Sequence, residues 1–260
     1  MTILNSDIDL PGFFTRVRDT TRRLLMLDYD GTLAPFTTDR GAALPYPEIT
    51  PLLEVLIGHP GCRTVLISGR SVADLRALLP FDSVPEIWGS HGWERLQADG
   101  RMIPPALPAS TARVLEEEWA WLAATVPAHL IEHKPASVAV HWRGLDAETQ
   151  IVLRALALRR WRKQHVAAGL ILHPFDGGLE LRARGRTKGD AVRALLAEYD
   201  TPPATAYLGD DATDEDAFAA LAGSGLRVLV RPESRETQAD VHLVPPDELQ
   251  WFLEQWRQHL

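Results

Sequence analysis

Cysteine occurs once in the 260 residues, at Cys62. A lone thiol excludes an internal disulfide framework and any zinc or iron–sulfur site built on several cysteines. Cys62 sits just ahead of an apolar run and is expected to be inert packing. Basic charge is not in excess either: 27 Lys and Arg stand against 35 Asp and Glu, a net −8. That balance argues against nucleic acid or an anionic membrane surface as a partner. No apolar run approaches the roughly 18 residues a membrane helix needs. The opening MTILNSDIDLPGFF has no basic stretch followed by an apolar one, so a secretory signal is not expected and a cytoplasmic location is. Low-complexity tracts are missing as well. The 45% hydrophobic and 24% charged fractions are those of an ordinary globular chain. At about 150 residues per domain the length leaves room for one or two.

The first clear element is Arg23-Leu24-Leu25-Met26-Leu27-Asp28, an apolar run that ends abruptly in carboxylates. Such a run suits a strand buried on both faces, in the middle of a parallel sheet. A helix is expected over 47–58, opened by Pro47, then a strand over 63–68, a helix over 71–79 and a strand over 86–89. The alternation points to a doubly wound, mostly parallel α/β core. Ligands in such sheets bind beyond the carboxyl ends of the strands, where these polar residues fall.

The middle of the chain breaks this rhythm. Residues 102–108 are proline-rich and read as a linker. A helix over 111–125, strands over 130–133 and 137–142, a helix over 146–165 and strands over 170–174 and 178–182 repeat one pattern twice. Residues 101–184 are therefore expected to form an inserted α+β domain with its own sheet, between core segments 1–100 and 185–260. Gly100, Pro104-Pro105 and Gly185 are the candidate hinges. The parent rhythm returns with a helix from Lys188-Gly189, a strand over 205–209, a helix over 213–222, strands over 226–230 and 241–244, and a closing helix from Asp247.

Asp28-Tyr29-Asp30-Gly31-Thr32 lies at a strand end, where alternate carboxylates can do different work. Asp28 can act as nucleophile and Asp30 beside it as acid/base. Gly31 lets the chain turn and brings backbone N–H groups to an anion. Taken alone, D-x-D reads more readily as an acidic turn with capping chemistry, and the preceding apolar strand and the other motifs reverse that preference. The second acidic cluster, Asp210-Asp211-Ala212-Thr213-Asp214-Glu215-Asp216, again follows a buried strand. A helix N-terminus accounts for Asp214 and Glu215 but poorly for Asp210-Asp211. Carboxylates converging this way would repel one another without a hard cation, and all-oxygen ligands favour Mg²⁺. Ser68 can donate to a phosphoryl oxygen, or cap a helix. Lys188 at a helix start is a cation where the dipole prefers an anion, so an anionic ligand or an aspartate is expected nearby. Together these parts suffice for phosphoryl transfer through an aspartyl-phosphate.

Leu27-Asp28-Tyr29-Asp30-Gly31-Thr32-Leu33, Ile67-Ser68-Gly69-Arg70, Thr187-Lys188-Gly189 and Gly209-Asp210-Asp211-Ala212-Thr213-Asp214-Glu215-Asp216 resemble, in order, the four motifs of the haloacid dehalogenase-like phosphatases. Within that superfamily the chain is similar to the trehalose-6-phosphate phosphatases over about residues 23–245. The more particular markers are Gly89-Ser90-His91-Gly92-Trp93-Glu94, Glu132-His133-Lys134, His141-Trp142-Arg143 and Glu180.

The resemblance implies that the insert is a cap closing over the active site and that the enzyme is a Mg²⁺-dependent sugar-phosphate phosphatase. It implies Asp28, Asp30 and Lys188 as catalytic residues, with Asp28 phosphorylated in turn. Mg²⁺ would be held by Asp28, the Asp30 carbonyl and Asp210, with Asp211 or Asp214 behind them. Gly31, Thr32, Ser68, Gly69 and Arg70 would meet the phosphoryl group, and Glu132, Lys134, His141, Arg143 and Glu180 the sugar. A monomer acting on a small sugar phosphate is expected, with a functional link to the matching synthase. Two departures lie in the cap: Phe175-Asp176-Gly177-Gly178 where the family has a Gly-Lys pair, and Trp142 where it has Tyr. They leave open another sugar phosphate, such as sucrose 6-phosphate or a glycosyl-phosphoglycerate. A non-catalytic sugar-phosphate binder of the same fold is a further alternative, disfavoured by the intact Asp28, Asp30, Lys188 and Asp210. Trp119 and Trp121 are expected to pack within the insert, Trp93 and Trp142 to touch sugar. The basic residues Arg154, Arg159, Arg160, Arg162 and Lys163 are expected to form a solvated face.

Overall fold

The computed structural model describes every residue except 38, 82, 84, 163–167 and 176. The first elements along the chain are β1 (Thr2–Ile3), α1 (Leu10–Asp19), β2 (Arg23–Leu27), α2 (Thr50–Gly58), β3 (Arg63–Ile67), α3 (Val72–Leu78), β4 (Glu86–Gly89), β5 (Glu94–Leu96) and β6 (Met102–Ile103). Next come α4 (Ala109–Thr125), β7 (Ile131–Lys134), β8 (Ser137–His141), α5 (Ala147–Trp161), β9 (Leu170–Phe175) and β10 (Gly178–Ala183). The last are α6 (Lys188–Leu196), β11 (Ala204–Gly209), α7 (Glu215–Leu221), β12 (Leu226–Val230), β13 (Val241–Leu243) and α8 (Asp247–Gln258). Two compact units result, one of Met1–Ile103 with Thr187–Leu260, the other of Pro104–Arg186.

The first unit is built on a nine-stranded sheet of order β1-β13-β12-β11-β2-β3-β4-β5-β6. From β13 to β4 every neighbouring pair is parallel; β1, β5 and β6 extend the edges antiparallel. This is the expected doubly wound core. Alternation along β2 explains its apolar run from Leu24 to Leu27. Leu25 and Leu27 join Phe13, Phe14, Leu53, Leu75, Phe252 and Trp256 on one side of the sheet. Leu24 and Met26 join Val192, Leu195, Phe218 and Leu221 on the other. Burying each such side chain is worth about 1.5–3 kcal/mol, so the end of β2 is held firmly in place. Cys62 is buried and accepts the Trp256 indole N–H at 3.3 Å, as packing.

Three readings of the sequence are corrected here. Helix α2 begins at Thr50, not at Pro47, and the proline in its first turn is Pro51. Met102 and Ile103 are not linker but the edge strand β6, paired with β5. Helix α1 is an element the sequence reading did not assign. Pro11-Gly12 looks like a turn, yet proline is tolerated in a first helical turn, and Asp9 caps the helix by accepting the Gly12 N–H at 2.9 Å.

The second unit is a four-stranded antiparallel sheet of order β7-β8-β10-β9, with α4 and α5. Asp146 caps α5 through the Thr149 N–H at 2.9 Å. Glu118 on α4 is fully buried and accepts from Arg160 at 2.9 Å and from the Trp161 indole at 3.2 Å. Arg160 therefore leaves the expected solvated face to neutralise a buried acid, while Arg154, Arg159 and Arg162 are exposed. Lys163 lies outside the described residues. Trp119 stacks on His133 at 4.9 Å and Trp121 meets Trp161 edge-on, both within this unit.

Candidate active site

The alternation that buries Leu24 and Met26 against α6 and α7 carries on to Asp28, whose N–H still pairs with the Leu208 carbonyl at 2.9 Å. Its carboxylate thus points to the face where α6 begins. Lys188, the first residue of α6, donates to Asp28 Oδ1 at 2.7 Å and to Asp214 Oδ1 at 2.7 Å. The unfavourable cation at this helix start has two aspartates to answer it. Gly189 is required beside it, because a Cβ there would collide with the Asp216 carbonyl at the start of α7.

Asp214 is saturated. Oδ1 accepts from Lys188 and from the Tyr207 hydroxyl at 2.5 Å, and Oδ2 from the Asp210 and Asp211 N–H groups, each at 3.0 Å. Asp214 therefore shapes the acidic loop that presents Asp210. Gly209 makes room for it, since any Cβ would meet the Asp214 carboxyl. Asp211 turns to its own loop and accepts the Thr213 N–H at 2.7 Å and hydroxyl at 2.6 Å.

These groups are strongly perturbed. Burial pushes Asp28 up to about 7 against the pull of Lys188, with Asp214 adding to the rise. Burial and then the Asp28 charge hold Asp210 well above the carboxylate range, and burial raises Asp214 against Lys188. Lys188 stays an ammonium in spite of burial because Asp214 and Asp28 face it. Asp211 goes the other way: burial is outweighed by Lys188 and the bonds from Thr213. One ammonium does not balance so many buried carboxylates.

Asp30 is held differently. Arg70 grips it with both arms, Nε to Oδ2 at 2.7 Å and Nη2 to Oδ1 at 2.6 Å. Thr32 donates to Asp28 Oδ2 at 3.2 Å, and the buried Ser68 hydroxyl accepts the Arg70 N–H at 3.2 Å. Ser68 is therefore no helix cap; Ser71 caps α3. Gly31 has φ +83° and lies against the Asp210 carboxylate and Phe36, and Gly69 lies under the His91 ring. The core motif residues are thus brought to one end of the sheet.

Two residues of this site have no role in the sequence reading, and the first of them, His91, stands there only within the Gly89–Glu94 marker. His91 covers Gly69, and its charge helps lower Asp211. Ser90 and His91 both adopt left-handed backbone, φ 51° and 57°, a conformation disfavoured outside glycine and held here by Ser90 Oγ donating to Glu94 at 2.6 Å. The signal available was the run Ser90-His91-Gly92 after a strand. The other is Arg235, which no local motif marks.

In the second unit, residues paired across the sheet share a face. One face carries Val138, Val140, Leu179 and Leu181; the opposite face carries Glu132, Lys134, Ser137, His141, Glu180, His173 and Phe175. Ala139 sits between Glu132 and Glu180, small enough to leave both reachable. Lys134 Nζ is 3.0 Å from Glu180 and 3.6 Å from Glu132; Ser137 donates to Glu180 at 2.7 Å, and His141 Nε2 is 3.0 Å from Glu132. Four of the five expected sugar residues form this cluster. Arg143 lies beyond β8, exposed and against Gly177. Phe175 covers Gly178, where a Cβ would collide with the ring, and meets His141 at 5.2 Å. Asp176 lies outside the described residues.

Asp28, Asp210 and Asp214 can each place an oxygen within 4.8 Å of the others. Such a buried set of hard oxygens, without nitrogen or sulfur, fits a small divalent cation. Because Asp214 is saturated by donors, Asp28 and Asp210 are the carboxylates able to hold it.

A family model described as Trehalose-phosphatase matches residues 26–244. The chain belongs to the trehalose-phosphatase family. A trehalose-phosphate phosphatase of Mycobacterium marinum is 32% identical over 224 residues, covering 81% of this chain and 54% of that protein. The chain spans about half the length of the curated relatives it matches. Among solved structures, the C-terminal domain of a C. albicans trehalose-6-phosphate phosphatase superposes with a TM-score of 0.77 at 22% identity, over 100% of this chain and 99% of that one. A haloalkanoate (HAD) superfamily phosphatase from Bacteroides thetaiotaomicron gives 0.61 at 16% identity, over 97% and 99%. The fold is that of the HAD phosphatases, and the trehalose-phosphatase match covers both units. Among the described residues no helix is long and apolar enough to cross a membrane.

Proposed function

We propose that the chain hydrolyses trehalose 6-phosphate to trehalose and phosphate, with Mg²⁺, through a phosphorylated Asp28. The observation that carries this reading is Lys188, buried between Asp28 and Asp214 and 2.7 Å from each. It fixes one carboxylate for attack and leaves its negative charge partly offset for an anionic substrate. Asp28 attacks phosphorus; the bond from phosphorus to the sugar oxygen breaks, and that oxygen takes its electron pair and a proton from Asp30. Asp30 then takes a proton from the water that attacks phosphorus, and the acyl-phosphate bond breaks to restore Asp28. Thr32, Ser68 and Lys188 oppose the charge on the phosphoryl oxygens, as this reaction class requires. When bound, Mg²⁺ held by Asp28 and Asp210 supplies charge neutralisation for the incoming phosphate. Arg70 keeps Asp30 aimed. Glu132, Lys134, His141 and Glu180 supply hydroxyl partners for the sugar, and the second unit is the specificity domain. The same reading has the chain working in the cytoplasm as a monomer that consumes the product of a synthase.

A second reading, the same chemistry on another sugar phosphate, is favoured by Phe175 on the polar face of the second unit. One assay separates them: phosphate release from trehalose 6-phosphate, sucrose 6-phosphate, glucose 6-phosphate and an aryl phosphate, with and without Mg²⁺. A Mg²⁺-dependent preference for the trehalose ester supports the first. Aryl turnover without that preference supports the second, and no turnover of any ester contradicts both.

A further inference from the structure

We propose that Arg235 is a positioning residue that holds the acidic loop in its ligand geometry and so sets the affinity of Asp210 for the divalent cation. The inference rests on the reading of Asp28 and Asp210 as cation ligands and goes beyond it.

Arg235 lies between β12 and β13, outside every motif used above, and each of its guanidinium nitrogens is engaged. Nε donates to the Asp210 carbonyl at 3.1 Å, Nη2 to the Asp211 carbonyl at 2.6 Å, and Nη1 to Glu215 Oε1 at 2.6 Å and to the Glu236 carbonyl at 2.7 Å. Glu215 is fixed in turn by the Thr237 hydroxyl at 2.8 Å and the Gln238 N–H at 2.9 Å. The contact to a peptide plane matters more than the ion pair. In a trans peptide the carbonyl and the next N–H point in opposite directions. The Asp210 carbonyl points to Arg235 while the Asp211 N–H of the same plane points to Asp214 Oδ2 at 3.0 Å. The plane is therefore pinned from both sides. Asp214 holds it from within and Arg235 from without, and the backbone from which the Asp210 carboxylate projects is fixed.

Without Arg235 the Asp211 carbonyl loses this donor and the Asp210 carbonyl keeps only the longer contact from Arg231 Nη1 at 3.4 Å, so the N–H bonds to Asp214 loosen and the ion itself must do more of the ordering of Asp210. Groups that orient a metal ligand in this way change affinity about 10- to 100-fold when removed. Lysine can reach one carbonyl but lacks the planar fork, so it should restore only part of the effect.

The test is a Mg²⁺ titration of wild type, Arg235→Ala and Arg235→Lys, read by heat of binding and by the melting-temperature rise that Mg²⁺ causes. Both readouts are independent of turnover. The Mg²⁺ concentration at half-effect should rise about 10- to 100-fold in Arg235→Ala and less in Arg235→Lys. In an activity assay kcat at saturating Mg²⁺ should fall far less than Mg²⁺ affinity does. An unchanged Mg²⁺ half-effect in both variants overturns the proposal, even with a lower melting temperature, since a merely structural bridge would give that. Wild type without any Mg²⁺ response overturns the cation reading itself, and this inference with it.

Discussion

Lys188 Nζ stands 2.7 Å from Asp28 Oδ1 and 2.7 Å from Asp214 Oδ1, so that one buried ammonium bridges the end of the strand that leads to Asp28 and the loop that presents Asp210. Removing it leaves two buried carboxylates facing each other. Breaking such a buried pair costs about 3–5 kcal/mol. Lys188→Met is expected to abolish turnover and to lower the denaturant midpoint of the metal-free protein. Lys188→Arg should not rescue turnover, because the wider guanidinium cannot take the place of a point charge. Wild-type turnover in either variant would remove Lys188 from the reaction.

The pH dependence of the metal-free protein follows from the raised carboxyls. Asp28, raised from 3.8 to about 7, together with the raised Asp210 and Asp214, binds protons in the folded state that the unfolded chain has released. Their stabilisation is present below the unfolded value and is lost as pH rises through the folded one. Asp211, lowered, acts in the opposite sense but only below 3.8, and Lys188, raised, stays charged throughout. Melting temperature in chelator should therefore fall from about pH 5 to about pH 7, and Mg²⁺ should restore more at the upper end. Asp28→Asn should flatten the fall. A melting temperature that rises over this range would contradict the electrostatics described for the site.

Gly31 admits no side chain. Its φ of +83° costs any other residue about 1–2 kcal/mol, and a Cβ would collide with the Asp210 carboxylate. Gly31→Ala is expected to lose turnover and to weaken the Mg²⁺-induced rise in melting temperature, since Asp210 must move. A normal Mg²⁺ response in this variant would show that the contact is not close in solution.

Lys134 and Glu180 are 8% and 3% exposed as side chains, a buried pair in the second unit. Lys134→Met takes the ammonium away from Glu180 and is expected to cost about 3 kcal/mol, whereas Lys134→Met with Glu180→Gln should recover much of it. Turnover of the sugar phosphate should stay low in both. Denaturant melts and phosphate assays on the two variants separate a stability role from the proposed recognition role.

Much of this was legible in the sequence, for physical reasons that differ by element. Strand β2 declared itself because both faces are buried, leaving no polar residue between Arg23 and Asp28. Lys188 was marked by a charge that its helix dipole opposes. The edges were harder: β6 hid in a proline-rich stretch, because an edge strand of two residues needs little more than a neighbour to pair with. Helix α1 was masked by Pro11-Gly12, which is turn chemistry until Asp9 caps it. Arg160 read as a surface charge because Glu118, its buried partner, is 42 residues away. Arg235 was invisible for the same reason. Its bonds run to Asp210 and Asp211, and only the fold brings them together.

The central claim is that Asp28 carries the phosphoryl group, and the most direct measurement is to trap it there. An aryl phosphate needs no acid to expel its leaving group, but hydrolysis of an acyl-phosphate still needs a base. Asp30→Asn mixed with an aryl phosphate and Mg²⁺, quenched in acid and digested, should therefore yield phosphorylated Asp28 by mass spectrometry, with an initial burst of aryl alcohol. Turnover in that variant without a burst, or a phosphoryl group on any other residue, would contradict the account.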